Sequence, residues 1–126
     1  MTSVERVGAA AFDGDRLRRS GTWIVGFLAD WCGFCRAFVP DLEYLATATD
    51  LGVLLADVTD EASPLWDEFG IDVVPTVLVF RDGVAVFRRD GRLGQGLASA
   101  DVRAVAGAAK AAAQTPTAPG PGTATG

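Results

Sequence analysis

Apolar residues divide the chain into short continuous runs that match strands and longer periodic stretches that match helices. Residues 22–29 (TWIVGFLA) are almost wholly apolar and rich in β-branched and aromatic side chains, as in a strand buried on both faces. Residues 53–58 (VLLADV) form a second such run. Between them Phe34, Phe38, Leu42, Leu45 and Ala46 recur at helical spacing, predicting a helix with one apolar face that ends near Asp50. Pro40 falls inside it and should kink it, because proline supplies no backbone donor. Ser63 and Pro64 read as N-cap and first helical residue of a short helix that Gly70 stops. Residues 76–80 and 84–87 read as hairpin strands around a turn holding Asp82 and Gly83. Ser99 and Asp101 open a last helix with Val102, Val105, Ala106 and Ala109 on its inner face. Ahead of the first buried run, the pattern predicts a helix over 13–20 and a short strand near 4–7.

Alternating strands and helices imply parallel pairing with right-handed crossovers, and the hairpin adds an antiparallel edge. The fold class is therefore α/β, with a central mixed sheet of four to five strands and helices on both faces. The length, 126 residues, suits one domain, and 49% hydrophobic with 21% charged residues suits a globular one. Residues 114–126 carry no bulky hydrophobe and are expected to form a disordered tail, leaving 1–113 as the folded domain.

A net charge of −5 argues against a nucleic-acid module. The absence of histidine excludes Ser-His, Cys-His and His-metal mechanisms. No run approaches the roughly 18 apolar residues of a membrane span, and the first residues lack the pattern of a secretory signal. A cytoplasmic location is the expectation. The two cysteines, Cys32 and Cys35, cannot fill a four-ligand zinc site within one chain, so no metal is expected. In a reducing compartment such a CxxC pair is more often redox-active or metal-binding than a structural staple. Cys32 falls at the start of the predicted helix, where unpaired backbone N–H groups and the helix dipole favour a thiolate. Cys35, one turn on, is close enough for a disulfide and more buried. Cys32 would attack a disulfide and Cys35 would resolve the mixed disulfide. Gly33 would allow a tight turn into the helix.

The segment from Phe27 through Trp31-Cys32-Gly33-Phe34-Cys35 to Arg36 resembles the active-site stretch of the thioredoxin family. Pro40 resembles the proline that kinks the active-site helix. Ile71-Asp72-Val73-Val74-Pro75-Thr76 resembles the segment whose cis-proline faces the cysteines, and Phe80-Arg81-Asp82-Gly83 the hairpin that follows. The resemblance implies the thioredoxin fold and a thiol–disulfide oxidoreductase whose redox centre is the cysteine pair, with no bound cofactor. It also implies that Pro75 holds the Val74 backbone beside Cys32, where an extended substrate segment pairs with it, and keeps metals off the sulfurs. Trp31 flanks that groove, Gly33 and Phe34 join it in binding the substrate, and Gly91 or Gly94 forms the far wall. The implied partners are protein disulfide substrates and an upstream disulfide reductase, with no nucleic acid or membrane, and the protein is expected to be a monomer.

Two positions depart from the family pattern. Many members carry a buried aspartate, thought to relay the proton of the second cysteine, where this chain has Gly26. Water or another carboxylate must replace it, and Asp57, at the end of the neighbouring strand, is the candidate. Phe34 stands in place of the usual proline and restores a backbone N–H that could reach the Cys32 sulfur, making the disulfide a stronger oxidant. Three rival readings follow from the same residues: a disulfide oxidase or isomerase, an iron–sulfur cluster shared by two chains, and a protein adaptor that keeps only the fold.

Overall fold

The computed structural model describes residues 4–114. Five strands form a mixed sheet in the order β1 (Val4–Val7), β5 (Gly52–Asp57), β4 (Thr22–Leu28), β6 (Thr76–Arg81), β7 (Val84–Asp90). β1 and β4 both run parallel to β5; β6 is antiparallel to β4 and to β7. The central strand β4 is the expected apolar run. Its Ile24, Val25, Phe27 and Leu28 are buried because neighbours flank it on both sides.

Two long helices, α1 (Gly33–Thr49) and α3 (Ser99–Gln114), pack against each other on one face. Leu42 of α1 sits over Gly26, so the even-numbered positions of β4 point to this face. Phe27, next in the strand, points to the other. There it joins Phe12, Phe69 and Phe80 in an aromatic cluster with ring centroids 5.1 to 6.0 Å apart. Asp50 caps α1 in the left-handed region, at φ 57°, as the predicted helix end requires. Pro40 lies inside α1.

The helix expected over 13–20 is instead a hairpin, β2 (Phe12–Asp13) and β3 (Arg16–Leu17). Gly14 at φ +60° makes the turn, and Phe12 and Leu17 pair in register so that both enter the core. A helix would have carried one of them away from it. The next helix, α2 (Leu65–Glu68), is a single turn. Pro64 is its N-cap rather than its first residue, while Ser63 Oγ still accepts the Leu65 N–H at 3.3 Å. Gln114 closes α3, and the remainder of the proposed tail lies outside the described residues. Among the described residues no helix is long and apolar enough to cross a membrane.

The loop between β7 and α3 is fixed from below by Asp101, only 5% exposed. Its carboxylate accepts the Arg92 guanidinium at 3.0 Å and the Ala98 N–H at 2.8 Å, capping α3 from its third residue. The Arg92 hydrogen bond, together with that N–H, outweighs burial and holds the carboxyl below its ordinary range. Asp101→Ala is expected to cost about 1–2 kcal/mol at neutral pH, through the lost cap and charge-assisted bond. Because the folded carboxyl titrates lower than the unfolded one, this contribution is present above the unfolded value, about 3.9, and is lost as pH falls through the folded one. Melting temperatures taken down an acid series should therefore differ by a constant amount at higher pH and converge in acid. A gap that persisted unchanged into acid would show that the carboxylate charge contributes nothing.

Candidate active site

β4 ends at Leu28, deep in the sheet, and Ala29, Asp30 and Trp31 carry the chain over its edge to Cys32, the N-cap of α1. Cys32 has extended backbone (φ −100°, ψ 116°), which turns its side chain back over the helix start. The Cys35 N–H donates to the Cys32 sulfur at 3.2 Å. Thus the sulfur occupies the place of an N-cap oxygen and takes one of the donors a helix start leaves unpaired. Both cysteines are free thiols; Cys32 is half-buried and Cys35 is 1% exposed. Burial pushes the Cys35 thiol up to about 12, with the Cys32 hydrogen bond and charge adding to the effect against smaller opposing help from the Ala29 backbone and Arg36. One sulfur is reachable and capped by an N–H; the other is covered and holds its proton.

The expected facing segment is in place. The Val74–Pro75 peptide is cis, and the Cys32 thiol donates to the Val74 carbonyl at 3.5 Å. Thr76 Oγ1 donates to the Val73 carbonyl at 2.7 Å and pins the loop. Gly91 lies behind Pro75: its N–H donates to the Pro75 carbonyl at 2.9 Å, and a Cβ there would fall 2.5 Å from that oxygen. Only glycine fits so close an approach. Gly94, the other candidate, lines the groove itself.

That groove, about 300 Å³, is lined by Cys32 together with Trp31, Phe34, Trp66, Val74, Arg92 and Leu93. Trp31, Phe34 and Leu93 are 52%, 47% and 87% exposed. Trp31 is nonetheless fixed: its indole donates to the Thr59 carbonyl at 3.0 Å and stacks on Trp66 at 6.2 Å. Trp66, Arg92 and Leu93 were not expected in the groove. Leu93, an isolated apolar residue among Gly91, Gly94 and Gly96, is the one that left a signal in the sequence. A larger cavity of about 400 Å³, bounded by Arg16, Phe69 and Arg88, lies elsewhere and touches neither sulfur.

Three expectations are corrected. The N–H meeting the Cys32 sulfur belongs to Cys35, not to Phe34; Phe34 instead packs against Gly96, where a Cβ would lie 3.1 Å from its ring. Gly33 has no positive φ, and a Cβ on it would meet only the end of Arg36 at 3.7 Å, so the helix start does not demand glycine. Asp57 is occupied. It accepts Thr59 Oγ1 at 2.5 Å, the Thr59 N–H at 2.9 Å and Arg6 at 2.9 Å. The Thr59 hydroxyl, more than the arginine, holds its carboxyl below the usual range despite burial, which makes it a poor proton acceptor for a thiol at about 12. Among the described residues, no group of three or more metal-ligating side chains converges.

A family model described as thioredoxin matches residues 3–101. The chain is 35% identical over 91 residues to a thioredoxin of Rhodospirillum rubrum, covering 71% of this chain and 88% of that one. It is 38% identical over 92 residues to a thioredoxin of Mycobacterium bovis, covering 71% and 78%. Its structure superposes on thioredoxin f of spinach chloroplast, long form, with a TM-score of 0.67 at 27% identity, over 86% of this chain and 85% of that one.

Proposed function

The chain belongs to the thioredoxin family and is a thiol–disulfide oxidoreductase; on that premise we propose that it works in the reducing direction, on disulfides of client proteins. Cys32 is the nucleophile and Cys35 the resolving thiol. The asymmetry of the pair carries these two roles, a half-buried sulfur that caps α1 and a buried one pushed up to about 12, and the likeness to named thioredoxins supports the direction. Cys32 attacks a client sulfur; its bond to that sulfur forms as the client disulfide breaks, and the electron pair leaves on the second client sulfur. Cys35 then attacks Cys32, forms the intramolecular disulfide and releases the client thiol. An upstream disulfide reductase returns the pair to the dithiol, so no bound cofactor enters.

The client lies across the groove in extended form, its backbone pairing with Val74 beside Pro75 as an added strand. Trp31 and Phe34 cover its side chains, Gly33 leaves room over the nucleophile, and Gly91 keeps the Pro75 loop in place. The reading takes the protein as a cytoplasmic monomer.

Equilibration in glutathione buffers, with thiols counted by mass, tests the direction. A reductant should have a reduction potential near −270 mV. A value of about −180 to −120 mV would overturn it in favour of an oxidase or isomerase role.

A further inference from the structure

Cys35 must lose its proton to resolve the mixed disulfide, and this chain has no carboxylate at Gly26 to take it. The Leu28 and Leu42 methyls occupy that side, each 3.0 Å from where a Gly26 Cβ would lie. Cys35 is not sealed off, however. A small cleft of about 30 Å³, room for about one water, reaches it between β1, the end of β4 and α1. Its polar lining is Arg6, Asp30 and Arg36, against Leu28 and Val39.

We propose that Arg6 is a positioning residue for the resolving step, its guanidinium holding the mouth of this cleft at a charge that lets the Cys35 thiolate form there. The inference rests on the reading of Cys35 as the resolving thiol. Arg6 Nη1 lies 2.9 Å from Asp57 Oδ2 and 3.8 Å from Asp30 Oδ1. Asp30 lines the cleft, and Asp57 stands outside its lining, tied to it through Arg6. Arg36 also lines the cleft; it donates to the Asp30 carbonyl at 2.7 Å, and its charge eases the Cys35 thiolate alongside that of Arg6. Cys32, the remaining ionisable group, is bonded to the client at this stage and carries no charge. Without Arg6, two carboxylates face one arginine. With it, the charges around the cleft balance.

In the step itself the Cys35 proton passes to water in the cleft. The Cys35 sulfur bonds to the Cys32 sulfur, the bond from Cys32 to the client breaks, and the electron pair leaves on the client sulfur. Over the two exchanges together the cysteines are oxidised by two electrons and the client disulfide is reduced by two.

One equivalent of a nitroaromatic disulfide separates the two steps in stopped flow, because each releases one coloured thiolate. In Arg6→Gln the first release should match wild type, and the second should slow about fivefold across neutral and mildly alkaline pH, its pH profile moving upward. Arg6→Lys should keep the wild-type second release, and about 1 M salt should bring wild type towards Arg6→Gln. A second release in Arg6→Gln that superimposes on wild type over the whole pH range overturns the inference. So does Arg6→Lys failing as Arg6→Gln does, since shape and not charge would then matter. Absence of the first release in wild type would overturn the assignment of Cys32, and this inference with it.

Discussion

Cys35→Ser is expected to stop turnover of a protein disulfide and to leave the client attached at Cys32. The half-buried Cys32 sulfur keeps its access to the groove in this variant. The first exchange therefore proceeds, but a serine hydroxyl cannot displace a thiolate from a disulfide, so the mixed disulfide persists. Turnover should fall by more than about 100-fold, while a covalent complex accumulates that mass spectrometry resolves and a small thiol reverses. Cys32→Ser should lose turnover to the same degree and accumulate nothing, because the remaining sulfur is 1% exposed and its burial still favours the protonated thiol. Serine is close in volume to cysteine, and the unpaired buried hydroxyl costs about 1–3 kcal/mol, within what a domain of this size tolerates. The assignment fails if Cys32→Ser forms the complex, or if Cys35→Ser turns over at a tenth of the wild-type rate.

Both cysteines, their place at a helix start and the strand before them were legible in the sequence, for a physical reason. A strand buried on both faces must be apolar throughout, and a helix with one buried face must repeat its apolar residues, so β4, β5 and α1 each carried their own signature. The hairpin over Phe12–Leu17 carried a misleading one. Arg16, Arg18 and Arg19 are good helix formers, and the Gly14-Asp15 turn signal is flanked by strands only two residues long, so its weight depends on Phe12 and Leu17 meeting in the core. The rest of the groove lining was hidden for a different reason. Trp66, Arg92 and Leu93 come from separate segments, and the loop carrying the last two has no periodicity to read. Arg6 was hidden because its neighbourhood is made by sheet order: the parallel pairing of β1 with β5 brings it to Asp57. Asp57 could be picked out by its place at a strand end, but its partners could not.

Gly26→Asp is the other substitution with a large expected effect, on stability. Gly26 pairs with Leu55 on one side and Val77 on the other, in the middle of the sheet. The α1 face above it is closed by Leu42, whose two methyls, like one of Leu28, would lie 3.0 Å from a new Cβ. An alanine already forces these side chains to shift, a cost of about 1–3 kcal/mol for overpacking. Aspartate adds a carboxyl to a spot walled by leucine methyls, and the total should reach about 3–5 kcal/mol. Urea unfolding should show this as a lower midpoint with an unchanged slope. Since the penalty is partly steric and Leu42 is its main source, the double variant with Leu42→Ala should lose less than the sum of the two single losses. A midpoint for Gly26→Asp at the wild-type value would mean that α1 does not close over β4 as described. It would also reopen this side of Cys35 as a place to receive its proton, leaving the cleft beneath Arg6 as one route of two.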